Sequence, residues 1–162
     1  MVSQCLELFK IFYEKYLGTS FTLDHVTVGE SCGSDKLSFH IMIYDGKYAW
    51  NTGLAKQPPY NSSQKTFINL MREETLKNPE RWDCLTFVRK DGKIWSVIDT
   101  SPYNSKGTQS FRTLLSSKIS ENRVLKPFDG YGNPLPHTPE TVLRGFASIT
   151  KHPHRCHKHR SY

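Results

Sequence analysis

Residues 36 to 43, KLSFHIMI, alternate without a break: Leu37, Phe39, Ile41 and Ile43 are separated by Lys36, Ser38, His40 and Met42. A period of two over that length marks a half-buried β-strand, and a strand must pair, so this segment commits the chain to a sheet. One face is fully apolar. The other carries an ammonium, a hydroxyl and an imidazole in a row, same-face neighbours lying about 7 Å apart at a rise of roughly 3.3 Å per residue. Such a row is either an ordinary solvated face or a set of donors for an anion, and the strand alone does not choose.

Around this strand the chain reads as a mixed α and β domain without internal repeats. Cys5, Leu8, Phe9, Phe12, Tyr13 and Tyr16 fall on one stripe of a helix over 4–17, which Gly18 stops. HVTVGE (25–30) and 36–44 read as two strands joined by the turn-like SCGS, and 46–62 reads as a loop. A second helix is capped by Ser62 or Ser63 and ended by Asn78-Pro79, with Phe67, Ile68, Met71 and Leu76 on its apolar face. CLTFVRK and KIWSVID form a hairpin across a two-residue Asp91-Gly92 turn in which both positions take positive φ. SFRTLLSSK (110–118) reads as a further strand, the chain beyond Pro127 as loop, and Thr138-Pro139-Glu140 opens a short helix. This order predicts an α+β fold: a mixed or antiparallel sheet with helices on one face, in a single domain over 1–150 followed by a basic tail over 151–162.

The 162 residues suffice for one core, and charges at Glu7, Lys10, Glu14 and Lys15 break the apolar N-terminal stretch. Neither a membrane span nor a secretory signal fits, so an intracellular protein is expected. Cys5, Cys32, Cys84 and Cys156 lack any CxxC spacing and read as reduced thiols. The formal charge of +7 favours a polyanionic partner.

Asp99 ends the apolar run Ile94, Trp95, Val97, Ile98, where a sheet can present a carboxylate to a cleft; strand-end Asp residues also commonly cap their own turn. Arg112 and Lys118 follow, a planar fork of donors and a mobile point charge, either for phosphate or on a solvated strand.

In that order, KLSFH, then VIDTSPY, then FRTLLSSK, the chain resembles the archaeo-eukaryotic primase superfamily, and most closely its PrimPol-type and large-DNA-virus members. The resemblance covers about residues 4 to 120 and part of the helix at 139–149. It implies a partial, RRM-like primase core and a DNA primase or polymerase-like nucleotidyltransferase acting in DNA replication or damage tolerance. It implies that Lys36, Ser38, His40, Arg112 and Lys118 bind the triphosphate of an incoming nucleotide, with His40 also catalytic. Asp99 would be a catalytic ligand of Mg²⁺ or Mn²⁺. The partners would be a single-stranded DNA template and nucleoside triphosphates, in the nucleus or mitochondrion of a cell or in an infected cell.

One departure matters. The family's first motif, an Asp-x-Asp or Asp-x-Glu pair, occurs nowhere in the sequence. Two-metal chemistry needs carboxylates for both ions, so the chain is expected to be N-terminally incomplete or degenerate, and to lack polymerase activity as it stands. A non-catalytic nucleic-acid- or nucleotide-binding domain is the alternative. In the tail, His152, His154, Cys156, His157 and His159 are crowded together. Structural zinc, adventitious metal binding and a disordered basic end all remain open for it, since a tetrahedral site needs a second ligand pair.

Overall fold

The computed structural model describes residues 1–34, 36–44, 63–102, 112–118 and 122–145. The expected loop at 46–62, most of the polar connection after Asp99, the helix beyond Arg144 and the His/Cys tail lie outside the described residues. The fold is α+β with antiparallel sheets, and it divides into two compact units: Met1–Thr22 with Ala49–Phe111, and Leu23–Tyr48 with Arg112–Tyr162. Among the described residues no helix is long and apolar enough to cross a membrane.

The first unit is built on α1 (Val2–Leu17) and α2 (Ser63–Lys77). The aromatic stripe of α1 is core, as its spacing predicts: Phe9 and Phe12 set their rings 5.2 Å and 6.2 Å from Phe67 of α2. Tyr16 is the exception, half exposed at the helix end. Gly18 closes α1 in the left-handed conformation (φ 65°) and donates its N–H to the Glu14 carbonyl, a geometry that costs an L side chain about 1 kcal/mol or more. Beyond α2, Trp82 and Leu85 are buried, and β3 (Thr86–Val88) pairs with β4 (Ile94–Ser96). Thr75 Oγ1 of α2 and Ser96 Oγ are hydrogen-bonded at 2.9 Å, tying helix to hairpin through a buried polar pair, while the Thr75 hydroxyl hydrogen goes to the Arg72 carbonyl at 2.7 Å.

The hairpin loop differs from the two-residue turn expected. Arg89 N–H reaches the Lys93 carbonyl and Gly92 N–H the Arg89 carbonyl, each at 2.9 Å, so three residues, 90 to 92, form the loop. Only Gly92 takes a positive φ (77°). This is a type I turn followed by a glycine bulge. Asp91 favours it because its carboxylate accepts the Lys93 N–H at 3.2 Å, a bond to the chain two residues on.

The second unit holds a three-stranded antiparallel sheet in the order β2-β1-β5, from β1 (Val26–Glu30), β2 (Phe39–Ile43) and β5 (Lys126–Asp129). Two further expectations are corrected here. Residues 112–118 are not a strand: they turn at Leu114–Leu115, where Leu115 has φ 64° and Ser116 Oγ bonds the Thr113 carbonyl. The third strand is KPFD, in the stretch read as loop. Pro127 is tolerated because β5 lies at the sheet edge, where a missing N–H need not break a central ladder. Beyond it Asp129 organises a tight return, accepting from Tyr131 N–H, Asn133 N–H and Asn133 Nδ2, which holds its carboxyl below the usual range. The short α3 (Pro139–Arg144) starts as expected, with Thr138 Oγ1 accepting the Thr141 N–H.

Candidate functional site

The central strand decides what the second unit can present. Val26 and Val28 pair with Ile43 and Ile41, and Val28 also with Phe128, so these side chains share one face. Thr27 and Gly29 pair with Met42 and His40 and share the other. Ser31 N–H bonds the Ser38 carbonyl at 2.9 Å, which carries the ladder one step past β2 and adds Ser31 and Ser38 to the polar face. The alternation read from the sequence thus puts His40 and Ser38 on the same side. Lys36 lies beyond the strand, exposed, in a connection closed by Gly33 N–H on the Lys36 carbonyl. The strand starts three residues later than expected although these two bonds continue its register, because Ser38 N–H is taken by Cys32 Sγ at 3.4 Å.

Gly29 lets a second layer approach. A Cβ there would lie 2.8 Å from Leu125 Cγ, closer than side chains pack, so the fully buried Leu125 sits directly on the strand's backbone. Leu125 in turn holds the 112–118 turn: its carbonyl accepts Leu115 N–H and its N–H reaches the Ser116 carbonyl. This brings Arg112 to the polar face. Its Nη1 donates to Ser31 Oγ at 3.1 Å and to the Arg123 carbonyl at 3.0 Å.

His40 reports the result. Burial, then the positive charges of Arg112 and Lys118, push its imidazole below its ordinary pKa. It is therefore neutral at pH 7, with one ring nitrogen able to donate and the other to accept. Two cations of unlike kind thus act on one half-buried imidazole: Arg112 fixed by two hydrogen bonds, Lys118 exposed. A neutral donor under the positive charge of Arg112 and Lys118 is chemically complementary to an anion such as a phosphate.

Asp99 belongs to the first unit. Both of its oxygens serve its own turn: Oδ1 accepts Ser101 N–H at 2.8 Å and Oδ2 accepts the Ser101 hydroxyl at 3.0 Å. That is the self-capping a strand-end Asp commonly performs, with lone pairs left on each oxygen. Among the described residues there is no group of three His, Cys, Asp or Glu side chains placed to hold a metal ion. A Mg²⁺ or Mn²⁺ ion takes about six oxygen ligands, commonly with more than one carboxylate between a metal pair, and Asp99 supplies one carboxylate already engaged by its own turn.

Reading the sequence missed Gly29, Ser31 and Leu125. Ser31 and Gly29 were legible in principle, since they continue the alternation of the first strand. Arg112's bond to the Arg123 carbonyl and Leu125's place over Gly29 depend on how residues 112–125 turn back, which no local pattern announces. No family model, no curated protein and no solved structure matches the chain.

Proposed function

We propose that the chain is a primase-polymerase-like nucleotidyltransferase domain whose polar sheet face binds the triphosphate of a nucleotide. The observation that supports this reading is that the charges of Arg112 and Lys118 both act on the His40 imidazole, a cationic setting complementary to an anion. Lys118 supplies a mobile charge, the neutral imidazole a directed N–H, and Ser38 and Lys36 extend the donors along the strand. Arg112, held by Ser31 and Arg123, contributes a fixed charge. Such a surface would neutralise the pyrophosphate leaving group while a template strand of DNA directs the incoming base. The chain holds no Asp-x-Asp or Asp-x-Glu pair and is expected not to extend a primer.

A second reading, a non-catalytic nucleotide-binding domain, is favoured by the engagement of both Asp99 oxygens with Ser101. Calorimetry with ATP and dATP tests what the two readings share. Lys118→Ala should weaken binding on the order of tenfold, the loss of one charge-assisted phosphate contact. Lys10→Ala, which removes an exposed helical ion pair with Glu14, should not. Equal affinities for the two variants would defeat the proposal. Primer extension on a DNA template then separates the readings, since fusing a strand that bears an Asp-x-Asp or Asp-x-Glu pair should bring incorporation only under the first.

A further inference from the structure

The first unit carries a second surface that the triphosphate face does not use. Residues 87 to 95 are exposed throughout, and among them Phe87 and Trp95 are directly opposed across β3 and β4, so they share a face. They line an open cleft of about 460 Å³ with Val97 and with Arg72 of α2. Cations gather on this surface. The Arg89 guanidinium lies over the Trp95 ring, 4.6 Å from its centre, and Lys90 and Lys93 are exposed at the turn. Arg72 Nε is buried with no hydrogen-bond partner among the described residues. Arg72, Arg89, Lys90 and Lys93 make no ion pair among the described residues. The carboxylates of the hairpin and its exit are engaged by their own turns, Asp91 by Lys93 N–H and Asp99 by Ser101.

The backbone is open along the same strand. Arg89 N–H bonds the Lys93 carbonyl and Val97 N–H the Leu85 carbonyl, each at 2.9 Å, so antiparallel alternation turns Phe87 toward β4 and points the Val88 N–H and carbonyl away from it. Neither Val88 group has a hydrogen-bond partner among the described residues. An open strand edge beside an aromatic pair is complementary to an extended polypeptide, which supplies ladder bonds and sets alternate side chains on the aromatic face. The cations select its charge. We propose that the β3 edge binds a partner protein through an extended acidic segment, added as a strand beside β3. One apolar side chain of that segment packs on Phe87 and Trp95, and a carboxylate reaches Arg72 or Arg89. A second copy of this chain is disfavoured there, because it would set Arg89, Lys90 and Lys93 against their own kind. The edge shares no residue with the face proposed for the triphosphate.

The test is fluorescence anisotropy of a short labelled peptide alternating glutamate with valine, titrated with the full chain. Trp95→Ala should weaken binding on the order of tenfold, the loss of an aromatic anchor, while Trp95→Phe keeps most of the affinity because a ring remains. Arg89→Gln should weaken binding and lessen its salt dependence. N-methylation of the peptide backbone should also cost on the order of tenfold, because it removes ladder donors. That change leaves the protein untouched, so it decides the pairing even if circular dichroism shows that Trp95→Ala fails to fold. No binding of the acidic peptide, or equal affinity for a peptide with lysine in place of glutamate, overturns the site. Equal affinity for the N-methylated peptide, or wild-type affinity in folded Trp95→Ala, does the same. Displacement of the peptide by oligo(dT) at equal concentration overturns it in favour of nucleic acid. Self-association in sedimentation that Trp95→Ala abolishes overturns it in favour of a second copy.

Discussion

The two antiparallel sheets use similar residues to different ends. In the three-stranded sheet the middle strand is closed in, with Val26, Thr27 and Val28 all buried. In the hairpin, Val88 is 67% exposed and its partner Ile94 is 45% exposed, although both strands are as apolar as β1. The difference lies in what each backbone admits. Gly29 lets Leu125 settle on the first sheet, and Thr27 Oγ1 meets the Tyr44 hydroxyl at 2.8 Å, so a polar residue is buried without loss. α2 is tied to the hairpin at its Ser96 end, through the bond to Thr75. Apolar composition alone therefore does not say which strand is core.

That contrast can be broken most sharply by truncating its two apolar extremes. Leu125→Ala should lower the unfolding free energy in urea by about 2–5 kcal/mol, the range for a fully buried leucine. Val88→Ala should change it by less than about 0.5 kcal/mol, as exposed substitutions do. Comparable losses for the two would mean the hairpin is as closed as the sheet. Next in size, Gly29→Ala should cost about 1–3 kcal/mol, because its methyl group would press on a leucine with nowhere to go. Thermal unfolding at one pH suffices to see it, and an unchanged midpoint would remove Leu125 from its place over the strand.

The smallest effect concerns acid. His40 is held below its ordinary pKa in the folded chain, so the folded state binds its proton less readily than the unfolded chain does. Its contribution to stability is complete above the unfolded value near 6.5 and is lost as pH falls through the lower folded value. His40→Gln should flatten the fall in unfolding free energy between neutral and mildly acidic solution. A variant with the wild-type slope would show that the imidazole is solvated, and that Arg112 and Lys118 do not act on it.

Much of this fold was legible because its signals are local. The aromatic stripe of α1, the alternation of β2, the Ser63 and Asn78-Pro79 limits of α2 and the Thr138 cap each depend on neighbours within a turn or two. The failures share a cause of the opposite kind. KPFD is a strand because Glu30 and Gly29 pair with Lys126 and Pro127 across the chain, and proline hides that role locally. FRTLLSSK reads as a strand by composition, yet residues 112–118 turn at Leu114–Leu115, where Leu115 takes φ 64° and donates its N–H to the Leu125 carbonyl. The polar face was visible residue by residue in Ser38, His40, Arg112 and Lys118. The clamp from Arg112 to Ser31 was not, because it needs the turn that composition misread.

The edge formed by Pro127 also bears on how copies of this chain meet at high concentration. An exposed sheet edge is a template for another molecule's backbone, and its row of donors and acceptors is what recruits the intruder. On β5 the proline offers no donor, its carbonyl already accepts Leu135 N–H at 3.0 Å, and Asp129 N–H is taken by the Asn133 carbonyl at 2.9 Å. A strand arriving from a neighbour finds these positions occupied by the chain's own return. Crowding during synthesis or purification should therefore not propagate the sheet from this side, and a proline that looks like a flaw in a strand serves as its guard against aggregation.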